Sequence, residues 1–148
     1  MKNAIKTIGI IAIIAIMGLG VFTSCEEAKD PPSLTVGGGA KTTLTITGLS
    51  TYDGMYVSGG IVDTVTEDMY LFIFTQINST SHSVTVNVLN DSGTTQVSLE
   101  GTGYIVLFIN DTNNPTKEQI GNKYTGITYA TPITPGANNI AFSAFVKQ

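Results

Sequence analysis

Two hydrophobic regimes divide the chain. From Ile8 to Phe22 the residues are apolar or small without a break and without a charge. From Leu44 onward, apolar residues recur at every second position in short runs broken by Gly, Asn, Asp and Pro. The first pattern has no polar face in any helical register, so it is not the amphipathic helix of a globular core. The second has the period of a strand that buries one face.

The second regime predicts a succession of strands. Leu44 and Ile46 alternate with threonines until Gly48, and Tyr52-Asp53-Gly54 predicts a turn before Met55–Val57. Ser58-Gly59-Gly60 leads into Ile61-Val62. Met69–Thr75 and Tyr104–Ile109 are apolar at both parities, which predicts central strands covered on both sides. Val84, Val86 and Val88 alternate with polar residues, Asn90-Asp91-Ser92-Gly93 predicts a turn, and Val97 and Leu99 resume the alternation. Ser83–Ile109 therefore reads as a three-strand meander. Tyr124–Ala130 and Ile140–Val146 supply the last strands. The one helical signature is Asn114-Pro115 running to Gly121, an N-cap, a first-turn proline and a stop, at most about two turns long. About seven to nine short strands with almost no helix predict an all-β fold, either an antiparallel β-sandwich or a small barrel.

The first regime has the order of a cleaved secretory signal. Lys2 and Lys6 form a basic start, Ile8–Phe22 the apolar segment, and Thr23 and Ser24 a small-residue cleavage site before Cys25. The segment is shorter than the ~20 apolar residues that a spanning helix needs. A signal for soluble secretion would need no cysteine, yet the single cysteine of the chain stands here. Phe22-Thr23-Ser24-Cys25 resembles the lipobox of bacterial lipoproteins. That resemblance implies that the Cys25 thiol receives a diacylglyceryl group, that the chain is cut before Cys25, and that the new amine is acylated. The thiolate is the side chain suited to such alkylation, and two or more acyl chains hold a protein on a membrane stably where one does not. It implies a cell-envelope protein anchored by lipid, expected at the outer membrane.

Glu26–Ser33 (EEAKDPPS) is charged and carries Pro31-Pro32, a composition for a tether. Leu34-Thr35-Val36 reads equally as a short strand or as more of the tether, and Gly37-Gly38-Gly39 as a flexible hinge. The expected organisation is a signal helix over residues 1–24, a lipidated cysteine and tether over 25–40, and a β domain over 41–148. Within the last, Leu44-Thr45-Ile46-Thr47-Gly48-Leu49, Tyr52-Asp53-Gly54-Met55-Tyr56, Gly103–Ile109 and Ile140-Ala141-Phe142-Ser143 resemble small β domains of spirochaete (Treponema-type) envelope lipoproteins. The resemblance spans most of residues 41–148 except Glu67–Leu99, and it implies a β-rich envelope domain with no activity attached.

Charge narrows the partners. The chain carries eleven acidic residues against seven basic ones, and no arginine. Nucleic-acid binding needs a basic stripe, so no nucleic-acid partner is expected. With Cys25 lipidated no thiol remains for a disulfide, and packing must stabilise the domain.

Candidate chemistry is sparse. His82, the only histidine, falls in the polar turn Asn78–Ser83, and the chain has no G-x-S-x-G elbow. Asp111, Asn113 and Glu118 have fragments of a calcium-loop spacing, but Pro115 occupies a ligand position. Asp63, Glu67 and Asp68 read as a solvated acidic edge. Of the six tyrosines, Tyr70 and Tyr104 read as packing, while Tyr52 and Tyr56 are the best candidates for surface binding. The only site assigned is therefore the lipid attachment at Cys25, with no catalytic, cofactor or metal residue. The expected function is a non-catalytic binding or structural module that contacts membrane lipid through Cys25 and a protein or glycan through its β domain. The alternatives are a barrel-type carrier of a small ligand and a carboxylate-based glycan hydrolase.

Overall fold

The computed structural model describes residues 33–63, 65–115, 122–127 and 132–148. They form β1 (Leu34–Gly37), β2 (Thr43–Thr47), β3 (Tyr56–Val62), β4 (Met69–Gln76), β5 (Ser83–Asn87), β6 (Ser98–Gly101), β7 (Tyr104–Asn110), β8 (Asn122–Ile127), β9 (Ala137–Ala141) and the two-residue β10 (Val146–Lys147). Two short 3₁₀ turns, Ser50–Tyr52 and Phe142–Ala144, are the only other regular elements among the described residues. The fold is all-β. The predicted helix after Pro115 and the signal segment lie outside the described residues.

The strands make three sheets, in the orders β10-β8-β7-β3-β4, β5-β2-β9 and β1-β6. The alternation read in the sequence sets which side chains point inward. Leu44 and Ile46 of β2 and Val84 and Val86 of β5 pack in one cluster with Val57 and Ile61 of β3, Phe72 of β4 and Ile105, Leu107 and Ile109 of β7. The three- and five-stranded sheets therefore share a single core. On the other face of β2 and β5, Thr45 and Thr85 pair hydroxyl to hydroxyl at 2.9 Å, a cross-strand contact of the kind that supports a ladder. The five-stranded sheet ends on β4 and β10 and does not close, so the sandwich alternative holds and the barrel does not.

Three expectations are corrected. The pairing is not wholly antiparallel, because β2 and β9 run parallel, with Thr43 opposite Ala137 and Thr47 opposite Ala141. Parallel neighbours need a long connection between them, and most of the chain supplies it. The expected meander does not form either: β5 joins β2, β6 joins β1, and β7 joins β3 and β8. Only its first turn behaves as predicted. The Asn90 side chain accepts the Thr94 and Thr95 amides, Gly93 has φ 67°, and Leu89 bridges Gln96. Beyond it the ribbon is drawn to Thr42 rather than back on itself.

The two strands apolar on both faces also part company. β7 is central and buried from Ile105 to Asn110, including Val106 and Phe108 on the side away from the main cluster. β4 is instead the last strand of its sheet. Its outer side is covered at Leu71, which exchanges both backbone hydrogen bonds with Leu89 at 2.9 and 2.7 Å. Further along, Ile73 is 51% exposed. Here the register with β3 slips, so that Ile73 and Phe74 together face Ser58, and the Thr75 hydroxyl donates to the Ile73 carbonyl. A bulge and a capped carbonyl blunt an edge that would otherwise recruit another strand. At Gly59, where β3 passes between its neighbours, a Cβ would collide with the Val106 carbonyl and the Phe72 ring. Only glycine allows the strands to approach there.

Leu34-Thr35-Val36, open between strand and tether in the sequence, are strand, and Gly37, expected as hinge, continues it: Leu34 pairs with Gly101 and Gly37 with Ser98. Between β1 and β2, the fully buried Thr42 is the junction of the small sheets. Its amide donates to Val97 O, its carbonyl accepts from Val88, and its hydroxyl accepts the Leu99 amide at 2.8 Å.

Replacing Thr42 by Val keeps the shape and deletes that acceptor. Leaving the Leu99 amide buried without a partner costs about 1–3 kcal/mol. The unfolding free energy of Thr42→Val is expected to fall by that amount, read as a lower urea midpoint at unchanged slope, whereas Thr42→Ser, which retains the oxygen, recovers most of it. Equal midpoints for wild type and Thr42→Val would remove the hydroxyl from the account.

Candidate functional site

Cys25 lies outside the described residues, and its role rests on the sequence around it. Among the described residues, polar and aromatic groups gather where the loop after β2 meets the turn between β4 and β5. Backbone bonds knit the two together: Leu49 N to His82 O, Gly54 N to Ile77 O and Ile77 N to Met55 O, while Tyr52 N to Leu49 O closes the first loop on itself. Gly54 takes φ 78° in the predicted Asp-Gly turn, and the Asn78 carboxamide accepts the Thr80 and Ser81 amides to shape the other.

This closure brings His82 to Asp53, 29 residues away. The imidazole Nδ1 lies 2.9 and 2.8 Å from the two carboxylate oxygens. His82 has φ 50°, a left-handed conformation that His adopts more readily than most residues. A carboxylate on Nδ1 is the arrangement that orients a general base. Among the described residues no hydrogen bond joins this ring to a hydroxyl, and the Ser81 and Ser83 hydroxyls bond to each other at 2.8 Å. The side chains are 48% and 29% exposed, and an ion pair so open to water contributes little. The pair is a clasp between two turns. The sequence placed His82 in a turn but gave no sign of Asp53 as its partner, since only the fold brings them together.

Behind the clasp the aromatic residues interlock. Tyr52, Tyr124 and Phe142 meet edge to face, with centroids 4.8–6.0 Å apart, and Phe142 stacks on Phe145 at 6.1 Å. The Tyr52 and Tyr124 hydroxyls share a hydrogen bond. Tyr52, expected as a free binding group, is committed to this cluster instead, and Tyr56 is half-buried in β3. Burial, and next the Tyr52 hydroxyl bonded to it, push the Tyr124 phenol up to about 12.

The acidic edge also resolves differently from its reading. Asp63 is 1% exposed and caps the β3–β4 turn. Its Oδ1 accepts the Val65 and Thr66 amides at 2.7 and 3.1 Å, and its Oδ2 accepts the Leu34 amide at 2.6 Å. Glu67 and Asp68 are exposed, and Asp68 takes the Thr66 hydroxyl at 2.8 Å. Burial, followed by Asp68, Asp63 and Asp91, raises the Tyr70 phenol above its ordinary value. A buried carboxylate spent on three amides is not a free cation ligand. No cluster of three or more His, Cys, Asp or Glu among the described residues is arranged to hold a metal. Glu118 lies outside them.

Alkaline titration tests the aromatic pair. The folded Tyr124 holds its proton above the unfolded value of about 10, so its contribution to stability is complete below pH ~10 and is lost as pH rises through about 12. Near-ultraviolet absorbance should show one phenol titrating last. Tyr52→Phe, which removes the hydrogen bond but not the burial, should lower that midpoint while leaving it above the ordinary tyrosine range. An unchanged midpoint would mean that the hydroxyl pair has no part in the shift.

No protein-family model matches the chain, and comparison with curated proteins and with solved structures found no match.

Proposed function

We propose that this chain is a lipid-anchored cell-envelope protein whose β domain is a non-catalytic binding or structural module. The observation that carries this reading is Phe22-Thr23-Ser24-Cys25 at the end of the uncharged run from Ile8, with the only cysteine of the chain at the position a lipobox requires. The acidic, proline-containing segment Glu26–Ser33 supports it as a spacer between anchor and domain. The outer membrane is the proposed location, and a protein or glycan the proposed partner.

The described chemistry favours a module without catalysis. His82–Asp53 is the most catalyst-like pair among the described residues, and it is an exposed clasp whose ring is hydrogen-bonded to no hydroxyl there. Asp63, the most buried carboxylate among the described residues, is occupied by three backbone amides. Glycoside hydrolysis needs two acids facing each other across a cleft, and neither of these fits that role. The small-ligand carrier, suggested by the doubly apolar runs Met69–Thr75 and Tyr104–Ile109, requires a closed barrel, and the five-stranded sheet is open.

Metabolic labelling with a fatty acid is the direct test. The wild-type chain is expected to incorporate label and to fractionate with membranes, and Cys25→Ser to lose both. Label persisting in Cys25→Ser would overturn the anchor. Protease treatment of intact cells then reports the facing: loss of the β domain places it on the cell surface, and survival places it in the periplasm.

A further inference from the structure

The segment Ser33–Gly37 lies in a seat that the rest of the domain builds without it. Asp63 Oδ2 accepts the Leu34 amide, while Oδ1 stays bonded to Val65 and Thr66 of its own turn. Gly101 lies under Ser33, where a Cβ would strike the Ser33 carbonyl, and a Cβ on Gly103 would come within 2.8 Å of Leu34 Cδ1. The Thr102 amide donates to Ser33 O at 3.0 Å. β6 itself is fixed from its other side. Gly101 exchanges two backbone bonds with Ile133 at 3.0 and 2.8 Å, and the Leu99 amide is held by Thr42. None of these supports depends on β1.

What β1 contributes in return is slight. Leu34 is half-buried against the core, and Thr35, Val36 and Gly37 are exposed, Val36 at 54%. The strand then leads into Gly37-Gly38-Gly39. Nothing lies within 4 Å of where a Cβ on Gly38 would stand, whereas one on Gly39 would meet Pro135 and Ser98 at 3.3 Å. The chain is thus free at Gly38 and wedged at Gly39. From this geometry we infer that β1 is a detachable strap. Asp63 Oδ2 is its catch, Gly37–Gly38 its hinge, and the seat persists when the strap is out. Segments with few buried contacts open locally, well below the free energy of global unfolding. Where Cys25 carries an anchor, release hands Leu34–Gly38 to the tether and adds roughly 17 Å of reach at ~3.3–3.6 Å per extended residue. That consequence rests on the lipid-anchor reading; the strap itself does not.

Hydrogen exchange on the full chain in detergent, followed by mass spectrometry, tests the strap. The amides of 34–37 are expected to exchange at least about a hundredfold faster than those of β2 and β7. Asp63→Asn keeps an oxygen for Val65 and Thr66 but turns an N–H donor toward Leu34. It is expected to speed exchange in 34–37 by about a further tenfold while leaving β2 and β7 unchanged. Exchange of 34–37 in step with the core in the wild-type chain would overturn the proposal, as would equal acceleration of strap and core in Asp63→Asn. The intact mass of the same sample reports acylation of Cys25, so a failed anchor and a failed strap are told apart.

Discussion

Thr42 is the constraint through which the small sheets of this domain are joined. Its amide, carbonyl and hydroxyl reach Val97, Val88 and Leu99, so one fully buried residue fixes the start of β2, the ribbon from β5 and the course of β6. A buried threonine is tolerable only when its polar atoms are satisfied, and here satisfaction and topology are the same event. The chain that leaves Thr42 enters the core through Leu44 and Ile46. The chain drawn to its hydroxyl contributes Leu99 to that core and seats β1.

Around that junction the domain is held by apolar packing between two sheets. The packing explains why strand positions were readable and strand partners were not. Alternation along Leu44–Thr47 and Ser83–Val88 reports which side of a strand is buried, a local property. It carries nothing about which strand lies alongside. The meander expected from Ser83 to Ile109 assumed that neighbours in sequence are neighbours in space. The Thr42 hydroxyl and the glycines at 101 and 103 send the chain elsewhere. β4 misled for a related reason: an apolar run on both faces can be covered by a loop bridge at Leu71 and left open at Ile73 without being central.

The chemistry was legible in proportion to how local it is. The Asp53-Gly54 turn and the Asn90–Gly93 turn follow from their own residues and took the conformations read from them. The His82–Asp53 clasp, the tyrosine pair and the burial of Asp63 each join distant segments, so residue type alone assigned them wrongly or not at all. Asp63 had the most readable hint. An aspartate followed at short range by Val65 and Thr66 in a polar stretch is the pattern of a side chain capping its own turn. The proposed lipobox, by contrast, rests on a contiguous string, Phe22-Thr23-Ser24-Cys25, and its reading needs no fold.

The parallel pairing of β2 with β9 has a kinetic side. The Asn138 carboxamide donates to the Thr43 carbonyl across 95 residues of sequence, and the same side chain holds its own loop through Thr134 and Gly136. A strand that must wait for a partner so far along the chain forms late, because closing the intervening loop costs entropy before any contact offsets it. The three-stranded sheet therefore cannot be completed until β9 has been synthesised. Until then β2 has only β5 to pair with, and one side of the strand on which Thr42 opens stays without its ladder.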